Sequence, residues 1–196
     1  MKHLKIHIAL LTICLLSSCL IAGIITDTPG FYSGYYRLSQ EAQRKIEIVN
    51  DTDSLTEIKK GNTYAITAKH LKQLAEQNAP CVIYLWSAHC GAASCIPIHS
   101  FREFCKINQY NPLIISEYYD YEMLSAQDVE PSSVFSINHW HYGSDYCNKY
   151  TRRFQEDFLQ LFDVKFDAKY SYKYLYYDGQ KLMTYKPDTF GKYPWQ

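Results

Sequence analysis

Residues 81–105 read CVIYLWSAHCGAASCIPIHSFREFC, a pattern that predicts a buried strand, a loop with two cysteines, and a helix. Residues 81–86 are apolar and rich in β-branched and aromatic types, as in an interior strand that helices cover on both faces. The side chains with reactive or metal-binding groups that follow this strand are His89, Cys90, Cys95 and His99. Open α/β sheets usually place their sites at the carboxyl ends of parallel strands, so this loop is the candidate functional site.

Further strand patterns occur on both sides of the central stretch. The predicted strands are residues 63–66, 81–86, 113–117 and 134–137, with two more at 172–177 and 181–185. The last two flank Asp178-Gly179, which is a strong signal for a two-residue hairpin. Helix patterns lie between the first three strands, and this alternating order is what a parallel sheet requires.

Four helices are predicted from apolar spacing and N-cap residues. Their predicted positions are residues 40–49 with Ser39 as cap, a helix after Thr67 with Leu71, Leu74 and Ala75 on one face, residues 95–107 with Ser94 as cap, and a helix after Ser144 or Asp145 with Cys147, Tyr150, Phe154, Phe158 and Leu161 along one side. The first of these has sparse apolar positions, so it is predicted to lie on the surface.

The segment Leu85-Trp86-Ser87-Ala88-His89-Cys90-Gly91 resembles the strand-to-active-site segment of thioredoxin-fold proteins, in which a hydrophobic-Trp-Ala-x-x-Cys-Gly run leads into a Cys-x-x-Cys motif. The resemblance implies an α/β thioredoxin-like fold, with a central mixed sheet flanked by helices. An inserted strand and helix before the C-terminal hairpin is similar to the membrane-associated thiol-disulfide branch of that family. By the same resemblance, Cys90 takes the place of the attacking cysteine.

The second cysteine departs from the family motif. Ala93 stands where the resolving cysteine would be, and the next thiol, Cys95, comes two residues later. On a regular helix, residues five apart point about 140° away from each other. Cys90 and Cys95 can therefore pair only if the loop between them bulges, which its small residues would permit.

A second departure concerns the cis-proline that thioredoxin-fold enzymes keep just before the first hairpin strand. This chain has no proline between Pro131 and Pro187, and Ser171 or a neighbouring tyrosine occupies about that position. A cis bond before a residue other than proline costs roughly 2.5–4 kcal/mol. We therefore expect a trans peptide there and a substrate groove of different shape.

The N-terminus has the pattern of a targeting segment. Lys2, His3 and Lys5 precede an apolar run over residues 6–16, and Leu16-Ser17-Ser18-Cys19 resembles the lipobox of bacterial lipoproteins. This resemblance implies a signal peptide at residues 1–18 and lipidation of Cys19, followed by a tether and surface helix at 19–60 and the thioredoxin-like domain at 61–196. Ordinary signal cleavage and an uncleaved anchor reaching Ile25 remain alternatives. Each alternative puts the domain outside the cytoplasm, and the lipoprotein reading anchors it to the bacterial cell envelope.

The remaining cysteines number five once Cys14 and Cys19 are set aside. An odd number in an oxidising compartment leaves at least one thiol unpaired or bonded to a partner. Cys81 and Cys105 fall on apolar faces and are interpreted as small core residues. Cys147 fits either a core position or a disulfide partner.

Three functions are consistent with these residues. The first is thiol-disulfide exchange without a cofactor, with Cys90 as nucleophile, Cys95 as resolving thiol, and His89 as either a group that tunes the thiolate or a solvated loop residue. Its partners would be protein thiols or disulfides.

With 20 acidic and 20 basic residues, the chain has no basic excess that would indicate nucleic-acid binding.

The second function is binding of copper or zinc by His89, Cys90, Cys95 and His99, which lie within eleven residues, with His139 or His141 as a more distant ligand. A helix-surface position is the simpler interpretation of His99. The third is a binding module that keeps the fold without the chemistry, in which a Cys90–Cys95 disulfide only staples the loop.

Overall fold

The computed structural model describes residues 31–55, 57–92, 95–168 and 172–184. The strands in these ranges are β1 Ile46–Ile48, β2 Thr63–Ile66, β3 Cys81–Trp86, β4 Asn111–Ser116, β5 Phe135–Ile137, β6 Tyr174–Tyr177 and β7 Leu182–Thr184. The α-helices are α1 Gln40–Arg44, α2 Ala68–Gln77, α3 Ile98–Ile107, α4 Tyr121–Ala126 and α5 Cys147–Gln160. This is the predicted α/β class.

One mixed sheet of seven strands, in the order β1-β2-β5-β4-β3-β6-β7, carries the described part of the chain. The five strands from β1 to β3 in that order are parallel to one another. The hairpin β6–β7 is added antiparallel along the other edge of β3. All six residues of β3 are buried, because it has strands on both sides and helices on both faces.

The helices cover the sheet as two separate layers. On one face, Leu71 of α2 and Phe154 of α5 belong to the same buried cluster as Ile83 and Leu85 of β3. On the other face, Phe101 of α3 lies in a cluster with the alternate β3 residues, among them Tyr84. The alternation of β3 side chains between two cores follows from the two-residue period of a strand.

The hairpin is confirmed, but its turn lies one residue later than predicted. The N–H of Asp178 donates to the carbonyl of Lys181, 3.4 Å away, so Gly179 and Gln180 are the two central residues. The Asp178 carboxylate accepts hydrogen bonds from the N–H groups of Gln180 and Lys181, both at 2.7 Å. Gly179 has φ 102°, a conformation that glycine adopts without a steric penalty.

The prediction of one helix over residues 40–49 is wrong beyond Arg44. Ser39 does cap α1, since its side chain accepts a hydrogen bond from the N–H of Ala42 at 3.2 Å. The chain then extends into β1, which pairs in parallel with the free edge of β2, Ile46 opposite Thr63. Pairing with that edge supplies the backbone hydrogen bonds that a longer helix would have made internally.

The strand that precedes the hairpin, β5, lies inside the sheet between β2 and β4. The helix after it, α5, begins at Cys147 with Tyr146 as its N-cap residue, so neither Ser144 nor Asp145 occupies the cap position. Within the described residues, no helix has both the length and the apolar character needed to cross a bilayer.

Candidate functional site

A disulfide joins Cys90 to Cys95 directly beyond the carboxyl end of β3, with the two Cα atoms 5.8 Å apart. In the described part of the loop between them, and in residues 87–89 and 96–97 on its two sides, the chain is not helical. Two backbone hydrogen bonds shape its ends: the N–H of Cys90 donates to Ser87 at 3.2 Å, and the N–H of Cys95 donates to Ala92 at 2.8 Å.

The prediction that α3 begins at Cys95 is wrong. The helix begins at Ile98, and Pro97 is its N-cap residue. Proline disfavours helical geometry in the residue before it, and Cys95 and Ile96 accordingly lie outside the helix. Pro97 was the available sequence signal for this boundary. Ser94, the predicted cap, lies outside the described residues.

Both cysteines are half-buried and line an open cleft of about 530 Å³. Trp86 and Pro97 give this cleft apolar walls, and His99 lies on its rim at the start of α3. The opposite wall comes from the end of α4 and the residues that follow it. The disulfide can therefore be reached by a molecule that enters from solvent.

The three remaining cysteines of the described chain are free and buried. Burial raises the pKa of Cys81 to about 12 and that of Cys105 to about 12. The pKa of Cys147 is raised to about 11, again mainly by burial. The prediction of core positions for Cys81 and Cys105 is confirmed, and the core alternative for Cys147 is the observed one. A thiol with such a raised pKa is almost entirely protonated at neutral pH and is a poor nucleophile.

His89 is held on the side of the loop that precedes Cys90. Its Nε2 lies 2.9 Å from Oδ2 of Asp120, and its side chain is 35% exposed. The hydroxyl of Tyr118 donates to the same carboxylate oxygen at 3.2 Å, and the His89 and Tyr118 rings lie 5.2 Å apart. The imidazole is thus exposed to solvent, but its orientation is set by the chain that follows β4.

The predicted metal ligands are not brought together in this disulfide form. Among the described residues, no group of three or more His, Cys, Asp or Glu side chains has the geometry to hold a metal ion. His99 is exposed on the first turn of α3, with Ser100 Oγ 3.2 Å from its Nε2. His139 is 2% exposed and follows β5, and burial lowers its pKa to about 4.

Glu117 is a residue at the site that the sequence analysis did not single out. It follows β4 directly, and its N–H donates to the carbonyl of Trp86 at 2.8 Å, so it lies beside the end of β3. Burial raises the pKa of the Glu117 carboxyl, while the charge of Lys173 and a hydrogen bond with Ser87 lower it by smaller amounts. Its position at the carboxyl end of the strand predicted at residues 113–117 was the usable signal.

Three elements of the predictions fall outside the described residues. These are the lipobox with Cys19, the loop residues Ala93 and Ser94, and the position of Ser171. The cis peptide bond in the described chain precedes Pro80, at the entry to β3 and far from the hairpin in sequence.

Comparison with known proteins returned no match. No protein-family profile, no curated protein and no solved structure matches this chain.

Proposed function

We propose that this protein is a thiol-disulfide oxidoreductase that uses Cys90 and Cys95. The observation that carries the proposal is the disulfide itself, which lines an open cleft at the carboxyl end of the central buried strand. Structural disulfides need no cleft, whereas exchange requires that a second sulfur approach the first in line.

The exchange starts from the dithiol form of the protein. The Cys90 thiolate attacks one sulfur of a substrate disulfide, which forms a mixed disulfide and releases the other substrate sulfur as a thiolate that takes up a proton. The Cys95 thiol then loses its proton and attacks Cys90 Sγ, which releases the second substrate sulfur. Two electrons pass to the substrate, and the protein is left with the Cys90–Cys95 disulfide. The reverse sequence oxidises a substrate dithiol.

The contrast among the five cysteines of the described chain supports this assignment. Cys81 and Cys105 are completely buried, and Cys147 is 7% exposed, so none of them can meet a protein substrate without unfolding. The disulfide pair is the one at the surface cleft. Substrates of the exchange would be protein thiols or disulfides, which can enter an open cleft as an extended segment.

We further propose that the fold is thioredoxin-like. The order β2, α2, β3, cysteine loop, α3, β4 with parallel strands, followed by an antiparallel hairpin next to β3, is consistent with that layout. The inserted β5 and α5 before the hairpin are the counterpart of the inserted strand and helix expected from the sequence resemblance. The wider cysteine spacing is the main departure.

The proposed location is the extracytoplasmic face of a bacterial membrane, with a lipid on Cys19 as anchor. The support is the lipobox-like sequence Leu16-Ser17-Ser18-Cys19 after an apolar run. An oxidising compartment suits a disulfide that is formed and exchanged at the surface of the protein.

Two variants of the reduced protein test the function in an insulin-type disulfide reduction assay. Cys90→Ser should abolish activity, and unchanged activity would exclude Cys90 as nucleophile. Cys95→Ser should accumulate mixed disulfides with substrate, and their absence would exclude Cys95 as the resolving thiol. Cys105→Ala, which changes a buried thiol away from the cleft, is the matched control and should retain activity. A disulfide that resists reduction in the native protein would instead support a non-catalytic binding module.

A further inference from the structure

Residues 120–128, the loop clamp, run from the end of the connection after β4 through α4 to the turn that follows it. This segment contacts the disulfide loop on both flanks. Its first residue, Asp120, is bonded to His89, the residue before Cys90. Gln127, near its end, is bonded to Ile98, three residues after Cys95.

The Asp120 contact holds the chain where it enters the loop. The carboxylate oxygen lies 2.9 Å from His89 Nε2, and the Asp120 side chain is only 14% exposed. The carbonyl of Asp120 also accepts the N–H of Leu124 at 3.2 Å, which ties the residue directly to the start of α4. A change in the orientation of His89 therefore requires movement of α4 or loss of this hydrogen bond.

The Gln127 contact holds the chain where it leaves the loop. Its side-chain oxygen Oε1 accepts a hydrogen bond from the N–H of Ile98 at 2.9 Å. Ile98 is the first residue of α3, and its N–H has no acceptor within the helix. Pro97, the N-cap residue, has no side-chain hydrogen bond to offer, so the cap comes from Gln127.

The loop clamp is itself fixed to the core between its two contacts. Leu124 is 4% exposed and Val129, the next residue after the clamp, is 5% exposed. Both lie in the buried cluster that contains Trp86 and Ile98. Trp86 is the last residue of β3 before the disulfide loop, and Ile98 is the first residue of α3 after it. Asp128 has φ 52°, which ends α4 and turns the chain back so that Val129 can bury its side chain.

We propose that Asp120 and Gln127 are positioning residues that set how readily the Cys90–Cys95 disulfide is reduced. This inference rests on the proposed function. When the disulfide is reduced, two contacts to one segment that is anchored in the core by Leu124 keep the flanks of the loop close to their disulfide geometry. The two thiols then have a high effective concentration toward each other, which favours the disulfide over the dithiol.

Loss of either contact should make the disulfide easier to reduce. A looser loop lowers the effective concentration of the two thiols. Removal of Gln127 Oε1 leaves an unsatisfied N–H at the start of α3, which favours a nearby thiolate. Removal of the Asp120 carboxylate releases His89, the residue before Cys90, from its contact with the loop clamp.

The test is the equilibrium of the folded protein with a glutathione redox buffer, followed by the fraction of Cys90–Cys95 disulfide. Asp120→Ala and Gln127→Ala should each shift the equilibrium constant about three- to tenfold toward the dithiol, the size expected when one hydrogen bond to a flank of the loop is lost. A tenfold shift corresponds to a reduction potential about 30 mV less negative. Thermal unfolding, measured in parallel, shows whether each variant is folded.

Three control variants separate positioning from general destabilisation. Gln127→Glu keeps an acceptor oxygen for Ile98 and should show no shift toward the dithiol. Tyr118→Phe removes the hydrogen bond from the Tyr118 hydroxyl to Asp120 but leaves His89 bonded, and its equilibrium constant should stay within about twofold of wild type. Ser125→Ala changes an exposed side chain in the middle of the clamp and should behave as wild type.

The inference is overturned if Asp120→Ala and Gln127→Ala both form the disulfide with the same equilibrium constant as wild type. It is also overturned if Ser125→Ala shifts the equilibrium constant as much as they do. Either result leaves the proposed function intact, because exchange through Cys90 is measured separately. Failure of the Cys90 and Cys95 pair to form or exchange a disulfide in any redox buffer would instead overturn the proposed function.

Discussion

The hydroxyl of Tyr84 donates a hydrogen bond to the backbone carbonyl of Ile96, 2.9 Å away. Tyr84 is in the middle of β3, and Ile96 immediately follows Cys95, so the strand that leads into the disulfide loop also holds the chain as it leaves. The Tyr84 ring is completely buried and stacks on Tyr174 of β6 at 4.5 Å between centroids. The loop is thus supported from beneath by the central strand.

Tyr84→Phe tests this support. The variant keeps the stacked ring but removes the hydrogen bonds that the Tyr84 hydroxyl makes with the Ile96 carbonyl and with the Tyr174 side chain, so we expect a loss of about 1–2 kcal/mol in the free energy of unfolding. Urea unfolding of the oxidised protein measures it. Tyr36→Phe, at a tyrosine that is 67% exposed, is the control and should leave the stability unchanged. Equal effects in the two variants would contradict a stabilising role for the Tyr84 hydroxyl.

Selective alkylation tests whether the cysteines fall into an accessible pair, Cys90 and Cys95, and three buried thiols. After mild reduction of the folded protein at neutral pH, Cys90 and Cys95 should react with a maleimide within minutes. Burial holds the pKa of Cys81 and Cys105 at about 12 and that of Cys147 at about 11, so these thiols should react only after denaturation. Peptide mass mapping gives the sites. Rapid native labelling of Cys81 or Cys105 would contradict the buried positions.

His139 should make the protein less stable in acid. Its ring is 2% exposed, and neither ring nitrogen has a hydrogen-bond partner in the described chain. Burial lowers its pKa from 6.5 to about 4, against a smaller opposing effect of Asp145, whose Oδ1 lies 3.6 Å from Nε2. The unfolded chain therefore binds more protons than the folded one between pH 6.5 and 4, and stability falls as the pH decreases through this window.

The size of that loss should be about 1–3 kcal/mol, and the comparison is urea unfolding of wild type and His139→Phe at pH 7 and pH 4.5. The variant lacks the titrating group, so its stability should fall less over the same interval. Glu117 and Asp157, whose pKa values are raised mainly by burial, act in the opposite direction but are common to both proteins. Identical pH dependence in the two proteins would contradict the assignment to His139.

Gly34 should tolerate no side chain, because it contacts the connection that leads from β4 to Asp120. A Cβ at this position would lie 2.8 Å from the Tyr119 carbonyl oxygen and 2.8 Å from Cδ2 of Tyr118, and its φ is 80°. We expect Gly34→Ala to lower the free energy of unfolding by at least about 2 kcal/mol.

Gly61→Ala is the matched control for Gly34. Gly61 has a similar φ of 86°, but a Cβ added there would meet no atom of the described chain within 4 Å beyond its own neighbours in sequence. Only the backbone strain of about 1 kcal/mol is therefore expected. Thermal or urea unfolding of both variants gives the comparison. Equal losses would show that close packing against Tyr118 and Tyr119 contributes nothing.

Cys19→Ala tests the proposed lipid anchor. Without the cysteine there is no lipidation site, so the protein should move from the membrane fraction to the soluble fraction after cell disruption. Metabolic labelling with a fatty acid should mark the wild type and not the variant. Continued membrane association without label would support an uncleaved apolar anchor.

The sequence by itself determined the central strand, the hairpin and the capped helix after Thr67, because each has a strong local signal of apolar period, turn residue or cap. It also identified the two cysteines as a pair that needs a bulged loop. The start of α3 differs from the prediction because Pro97 keeps Ile96 out of helical geometry, an effect that is local and readable from the sequence.

Only the tertiary structure decided where β5 lies and what surrounds the cysteines. Strand order, the pairing of β1 with β2, and the contacts of Asp120 and Gln127 with the disulfide loop join residues that are distant in the chain. Such contacts depend on which elements bury their apolar faces against each other, and no local pattern of residue types encodes that choice. For the same reason, the burial that raises the pKa values of Cys147 and Glu117 became apparent only in the folded chain.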